Sequence, residues 1–233
     1  REQFQSGEGH SLESWKVLSE QLPVGQQLMN SMIVCILSIA IIVAVSTTAG
    51  FAFAKLNYRG STVVFLGIVA ALLIPMRSII IPAYTNIAQL NLLTTYWGAV
   101  LVYAALGTPF ATFLMTVYFR SLPDELVEAA IVDGLHYRGV FFRIALPLAV
   151  PAMVTVMVLQ FIQIWCDLLI GLLFLQNPEQ RTITVGLGAR SAGRVTDIPG
   201  LMAGSPVRAI PAVIVYLIFQ RQLVNGLTAG MGK

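Results

Sequence analysis

The sequence predicts an all-α protein that crosses a membrane several times. Of its 233 residues, 57% are hydrophobic and only 11% are charged, whereas soluble domains carry about 25% charged residues. The mean hydropathy of +0.79 excludes a soluble enzyme and a disordered chain. The formal net charge of +3, from 14 basic and 11 acidic residues, is too small for the phosphate-binding face of a nucleic-acid binder.

Five stretches of the chain have the length and the low charge of membrane-spanning segments. A helix needs roughly 20 apolar residues to cross the hydrocarbon core, and the uncharged stretches 21–54 and 78–119 exceed that length. Backbone polar groups must be hydrogen-bonded within lipid and no strand-like alternation is present, so each stretch is predicted as a helix. The predicted spans are 28–54, 62–80, 96–118, 148–175 and 200–219.

An odd number of spans places the two ends of the chain on opposite sides of the membrane. We expect residues 1–27 to be extracytoplasmic, 28–220 to form the transmembrane domain and 221–233 to be a cytoplasmic tail. A missing first span would explain both the polar segment at the start and the opening at Arg1 rather than Met; a processed or naturally short chain is the alternative. The Lys and Arg counts of the two sides tie, and the short loops favour a cytoplasmic position for Lys55.

The least apolar stretch in the middle of the chain is the 121–147 loop. Ser121 is a predicted N-cap and Pro123 suits the first turn of a short helix. Gly134 can end that helix at positive φ, and a second short helix, 137–145, leads towards the fourth span. Together they predict a helix–turn–helix. We expect the loop to contain no other apolar surface that could cover the apolar face of this motif. That face is formed by Leu126, Ala129, Ala130 and Leu135.

The motif within this loop resembles the EAA loop of binding-protein-dependent ABC import permeases. Nine residues separate its two halves. Its members are Glu128, Ala129, Ala130, Asp133, Gly134, Ile144, Leu146 and Pro147. Further pieces resemble the maltose-type carbohydrate permease subunit and follow in order across 28–230, among them Asn30-Ser31, Ile81-Pro82 and Pro109-Phe110. The chain departs from that pattern at Cys166, where the family often has Asn, and at Ile170-Gly171, where it has Trp-Pro.

The resemblance implies a fold, a function and a set of partners. The fold is the type I ABC importer transmembrane fold, with six spans in the family. The function is that of a permease subunit moving a mono- or oligosaccharide across the bacterial cytoplasmic membrane. The implied partners are a second homologous permease, two ATPase subunits and an extracytoplasmic sugar-binding protein. The motif residues would couple this chain to the ATPase subunits, with Glu128 in an ion pair, and ATP and Mg would be bound by those subunits rather than here.

Two alternatives to a sugar importer stay open on the sequence. The nearer one is an ABC permease for a non-sugar solute such as glycerol phosphate or an osmolyte. The more distant one is an ion-driven secondary transporter, which would have no use for a docking helix with a solvent-facing acid and would show paired discontinuous helices.

The sequence contains no pattern for chemistry of its own. None of the three lysines precedes the Ser or Thr of a phosphate-binding loop. His10 and His136 are too isolated for a metal site, and Cys35 and Cys166 lie in apolar runs that imply no disulfide framework. We therefore expect a transport subunit without a cofactor rather than an enzyme.

A polar stripe runs along the predicted fourth span. Gln160, Gln163 and Asp167 recur at helical spacing and share one face. Amides and carboxylates at membrane depth are costly, so they face protein or a water-filled path. Interhelical hydrogen bonding and the lining of a sugar pathway both fit this pattern. Arg208 in the last span would either pair with Asp167 or extend to the interface.

Overall fold

The computed structural model describes residues 23–56, 58–191 and 198–228, and within these ranges every regular element is a helix. The helices are α1 (Val24–Lys55), α2 (Ser61–Ala71), α3 (Met76–Gln89), α4 (Tyr96–Ser121), α5 (Asp124–Val132), α6 (Tyr137–Val140), α7 (Leu146–Leu148), α8 (Val150–Cys166), α9 (Leu169–Phe174), α10 (Ile183–Ser191) and α11 (Ile198–Thr228). A π-helical turn, Phe141–Ala145, joins α6 to α7, and a 3-10 turn, Pro178–Gln180, precedes α10.

The centre of the molecule is the pairing of α1 with α4, against which α8 packs, while α11 packs on α8. Small residues let these helices approach closely, as is usual within membranes. A Cβ added to Gly50 would lie 2.7 Å from the Cβ of Met115, and one added to Gly107 would lie 2.6 Å from Ile42 Cδ1. The side chains of Ile42 and Met115 are fully buried, so the core follows the α1–α4 seam.

The long helices extend beyond the predicted spans. α1 begins at Val24 rather than at residue 28, so four residues assigned to the N-terminal segment are helical, and α4 continues to Ser121. By length and composition, α1 and α4 qualify as uninterrupted spans among the described helices. The pair Tyr137–Leu148 and Val150–Cys166, bent by 69°, qualifies as a third if it is counted as one span.

The second predicted span, 62–80, is divided into α2 and α3. α2 ends at Ala71, and the N–H groups of the next three residues bond to the carbonyl of residue i−3, such as Ile74 N–H to Ala71 O at 3.2 Å. Pro75 then begins α3 from an extended conformation. A residue before proline is disfavoured in a helix, which explains the break after a stretch that stays apolar throughout.

The fourth predicted span, 148–175, is bent at its start and broken near its end. The bend lies at Ala149, between Pro147 and Pro151, since proline lacks the donor that a straight helix needs. Asp167 is extended and separates α8 from α9. The predicted last span lies inside α11. Of the predicted flanking segments, residues 1–22, 192–197 and 229–233 lie outside the described residues.

Candidate functional site

The first half of the 121–147 loop is the short helix α5. Asp124 and Glu125 occupy its first turn, where carboxylates complement the helix dipole. The helix ends with Leu135 N–H donating to Ala130 O at 3.0 Å, and Gly134 has a φ of +88°, as predicted. A Cβ at Gly134 would meet nothing within 4 Å, so the backbone conformation alone is what requires glycine there.

Ser121 is not the N-cap of this helix, contrary to the prediction. It is the last residue of α4, and its hydroxyl donates to Tyr118 O at 2.7 Å. That bond back into the preceding turn keeps Ser121 in α4. Pro123 occupies the N-cap position of α5 and offers no side-chain bond.

Most of the surface of α5 is uncovered in this chain. Of the four residues predicted to form its apolar face, Ala130 is buried and Leu135 half-buried, but Leu126 and Ala129 are exposed. Val132 is 86% exposed. Glu128 and Asp133 are exposed as well. The helix therefore presents apolar side chains beside carboxylates, and one face is available to another protein.

The second half of the 121–147 loop is packed into the helical bundle. Phe141 in the π-helical turn is buried, with its ring centroid 5.2 Å from that of Phe51 of α1. Phe51 in turn lies 5.6 Å from Phe119 of α4. Ile144 and Leu146 pack against the same core, whereas Pro147 is exposed. π-helical turns are frequent at functional sites, and this one joins the exposed half of the loop to the core of the bundle through Phe141.

The three residues of the polar stripe line one small cavity of about 30 Å³. Its lining residues are Met76, Tyr103, Leu106, Gly107, Gln160, Gln163, Ile164, Asp167 and Ile170. Such a volume holds about one water molecule, not a sugar. The structure therefore places the three side chains of the stripe around one small cavity, on one face, as their spacing predicts.

Hydrogen bonds distinguish the members of the stripe. Gln160 is 2% exposed, and its Nε2 donates a hydrogen bond to the Gly107 carbonyl at 3.5 Å. Asp167 Oδ1 accepts from the Tyr103 hydroxyl at 3.0 Å and from Ile170 N–H at 2.8 Å. Gln163, in contrast, is exposed.

Arg208 pairs with a carbonyl rather than with Asp167. Its Nη2 donates to Cys166 O at 3.0 Å, and Trp165 Nε1 donates to Arg208 O at 2.8 Å. The Trp165 carbonyl accepts from the Thr184 hydroxyl at 2.8 Å. The break after α8 leaves these carbonyls without helical partners, and side chains from other helices supply the missing bonds.

Sequence reasoning missed the role of Asn30, at the other end of α1. Asn30 Nδ2 donates to Glu179 O at 2.8 Å and to Arg181 O at 3.0 Å, and its Oδ1 accepts from the Tyr96 hydroxyl at 2.8 Å. Ser31 Oγ accepts from Ile183 N–H at 3.0 Å. Amide and hydroxyl groups inside an apolar helix were the available signal, since such groups seek partners in other elements. Asn30 and Ser31 fix the loop before α10.

Comparison with known proteins identifies the family of this chain. Residues 46–228 match the family described as "Binding-protein-dependent transport system inner membrane component". The sulfoquinovosyl glycerol transport system permease protein SmoH of Agrobacterium fabrum is 32% identical over 208 residues, which cover 89% of this chain and 73% of that protein. The osmoprotective compounds uptake permease protein GgtD of Synechocystis is 32% identical over 211 residues, 90% of this chain and 71% of that protein.

A solved structure has the same fold. It is that of a bacterial ABC transporter involved in the import of the acidic polysaccharide alginate, and one of its chains superposes with a TM-score of 0.78 at 21% identity. The match covers 89% of this chain and 78% of that chain.

Proposed function

Since this chain belongs to the family of binding-protein-dependent transport system inner membrane components, we propose that it is the permease subunit through which a sugar enters the cell. It is a transport subunit of an ABC importer rather than an enzyme, it lies in the inner membrane, and it acts with other ABC components. Its fold is the type I ABC importer fold predicted from the sequence. Because the chain belongs to this family, the alternative of an ion-driven secondary transporter is no longer needed.

The proposed solute is a mono- or oligosaccharide. Support comes from the sulfoquinovosyl glycerol permease and the alginate importer, whose named solutes both contain sugar units. The osmoprotective-compound permease favours a second candidate, an importer of a compatible solute. The exposed amide of Gln163 suits either, because amides exchange hydrogen bonds with hydroxyl groups and carboxylates alike.

The proposed partners are a second homologous permease, two ATPase subunits and an extracytoplasmic binding protein. ATP and Mg would be held by the ATPase subunits, and no cofactor is assigned to this chain. The proposed site of contact with an ATPase subunit is the 121–147 loop. Its residues in this role are Glu128, Ala129, Ala130, Asp133, Gly134, Ile144, Leu146 and Pro147.

The observation that carries this proposal is the contrast between the two halves of the loop. α5 is exposed, with Val132 uncovered, while Phe141 of the π-helical turn that follows is buried against Phe51 of α1, which itself packs on Phe119 of α4. A partner that moves α5 therefore moves a segment packed on α1 and, through Phe51, on α4. Closure of the ATPase subunits on ATP would shift these helices as rigid bodies between two arrangements.

The test is ATP hydrolysis by the complete transporter in proteoliposomes. The complex is supplied with its binding protein loaded with maltose, an arabino-oligosaccharide, glycerol 3-phosphate or glycine betaine. We expect a saccharide to stimulate hydrolysis above the rate with unloaded binding protein. Stimulation by glycine betaine alone would support the compatible-solute candidate, and stimulation by glycerol 3-phosphate or glycine betaine with none by either saccharide would contradict the sugar proposal.

A further inference from the structure

The last residue of α1 contacts the connection between α4 and α5. Lys55 Nζ donates to the Leu122 carbonyl at 2.6 Å and to Asp124 Oδ1 at 2.5 Å. The Lys55 side chain is 3% exposed, whereas the Asp124 side chain is 77% exposed. An amino group at the end of one long helix thus bonds to two positions on a segment more than sixty residues away in sequence.

The two acceptors belong to different helices. Leu122 is the C-cap of α4, so its carbonyl belongs to the negative end of that helix, and Asp124 is the first residue of α5. The Lys55 ammonium is also at the C-terminus of its own helix. A cation is stabilised at a helix C-terminus, and Lys55 lies at the C-termini of both α1 and α4. Its hydrogen bonds to a carboxylate and a carbonyl are charge-assisted.

The residue between the two acceptors is Pro123, whose ring fixes φ near its usual value. The connection from α4 to α5 therefore has little freedom of its own, and the contacts on either side of Pro123 set its direction relative to α1. Exposed ion pairs contribute little to stability because solvent screens them. This pair is not a fully exposed one, because the Lys55 side chain has little access to water. Its two hydrogen bonds therefore replace the hydration of the ammonium group.

We infer that Lys55 is a positioning residue for coupling: it holds α5 at a fixed direction relative to α1, so that displacement of α5 by an ATPase subunit moves α1 with it. The inference rests on the proposed role of the 121–147 loop as the contact with the ATPase. Lys55 touches neither nucleotide nor solute in this role, and acts through α5.

The test measures the distance between α5 and α1 in the assembled transporter. Spin labels are placed at E125C on α5 and I36C on α1, both exposed positions, in a chain carrying C35S and C166S. Distances are recorded without nucleotide and with ATP plus vanadate. In the parent complex we expect one narrow distribution that is unchanged by nucleotide, because the two helices move together.

The K55M variant removes the ammonium and keeps most of the aliphatic stem. We expect it to broaden the distribution and to shift it on addition of ATP plus vanadate. K55R, which retains the charge and the donors, should restore the parent distribution. The matched control is R59M, which removes a charge from an exposed residue of the same turn and should leave the distances at parent values.

Asp124 supplies a second, milder variant. D124N alters an exposed carboxylate, and should broaden the distribution less than K55M because the Leu122 contact remains. The double variant should match K55M, since K55M already removes the contact with Asp124; independent roles would instead add. If K55M does not reach the membrane, D124N decides, and a parent-like distribution in that variant overturns the inference.

Parent-like distances in K55M, in a complex that still hydrolyses ATP, would overturn this inference alone. Failure of the parent chain to bind the ATPase subunits would contradict the proposed function and this inference together.

Discussion

At the level of single residues, Gly134 is the position where the geometry of the loop depends on one side chain. Its φ of +88° is strained for a β-branched residue, at an expected cost of about 1–3 kcal/mol. No neighbour crowds it, so a larger side chain there acts on the direction of the chain and not on the core.

We therefore expect Gly134→Val to abolish solute uptake while leaving the amount of protein in the membrane unchanged. Gly134→Asn should retain part of the uptake, since asparagine adopts positive φ more readily. Gly67→Val is the control, because Gly67 has equally open surroundings without a positive φ. Uptake per membrane-inserted complex is the measurement, and a Gly134→Val variant that transports like the parent would contradict the role of the turn.

Glu128 is the exposed acid of α5 that we assign to the ATPase contact. Replacing it by Ala would remove the proposed charge-assisted hydrogen bond, worth about 1.5–3 kcal/mol, so we expect ATPase binding to weaken roughly tenfold or more. Glu179→Ala, at an exposed glutamate beside α10, serves as the control. Affinity of the detergent-solubilised permease for its ATPase subunits is measured. Equal affinities for the Glu128 and Glu179 variants would remove Glu128 from the interface.

At the level of elements, the polar stripe on α8 separates into two kinds of residue. Gln160 and Asp167 form hydrogen bonds to α4, and Asp167 also bonds to the first turn of α9, whereas Gln163 is exposed. Interhelical hydrogen bonding therefore accounts for Gln160 and Asp167 in this arrangement of the helices. Of the three, Gln163 is the residue that could take the proposed pathway role without loss of a hydrogen bond seen in this arrangement.

This division predicts opposite phenotypes. Gln160→Leu should lower the thermal stability of the complex, because the lost bond costs about 1–3 kcal/mol. Gln163→Leu should leave stability unchanged and alter uptake rate or solute preference. Uptake per folded complex and melting temperature in detergent are recorded together. A stable Gln160 variant together with a destabilised Gln163 variant would reverse the assignment.

The breaks within the apolar elements could not be predicted from composition. Hydropathy gives no boundary at Asp167, which has apolar residues on both sides, and the first polar residues after Pro75, Arg77 and Ser78, already lie inside α3. The loop motif was predictable because its Glu, Ala and Gly residues are adjacent in sequence. The Lys55 contacts were not, since they join residues that only the packing of α1 against α4 brings together.

At the level of the whole molecule, the helices define two ends. One end carries α5 and Lys55, and the other carries the loop that Asn30 fixes before α10. α1 and α4 connect the two ends through a buried seam. A displacement applied at α5 can therefore reach the far end of α1 through packed side chains, which is the arrangement that an ATP-driven permease needs.

This arrangement also predicts topology. The 121–147 loop is expected in the cytoplasm and the 176–199 loop outside. In a C35S and C166S background, a cysteine at position 179 should react with a membrane-impermeant maleimide in sealed cells. A cysteine at position 136 should react only after the membrane is opened, and its labelling in sealed cells would contradict the orientation.

The central claim is that α5 is the surface that contacts the ATPase. The most direct measurement is site-directed cross-linking in inverted membrane vesicles that contain the full transporter. A short bifunctional reagent attached at V132C should cross-link this chain to an ATPase subunit, and the yield should change on addition of ATP. The same reagent at position 179 should give no such product. Absence of an ATPase cross-link from position 132, or an equal yield from position 179, would contradict the account.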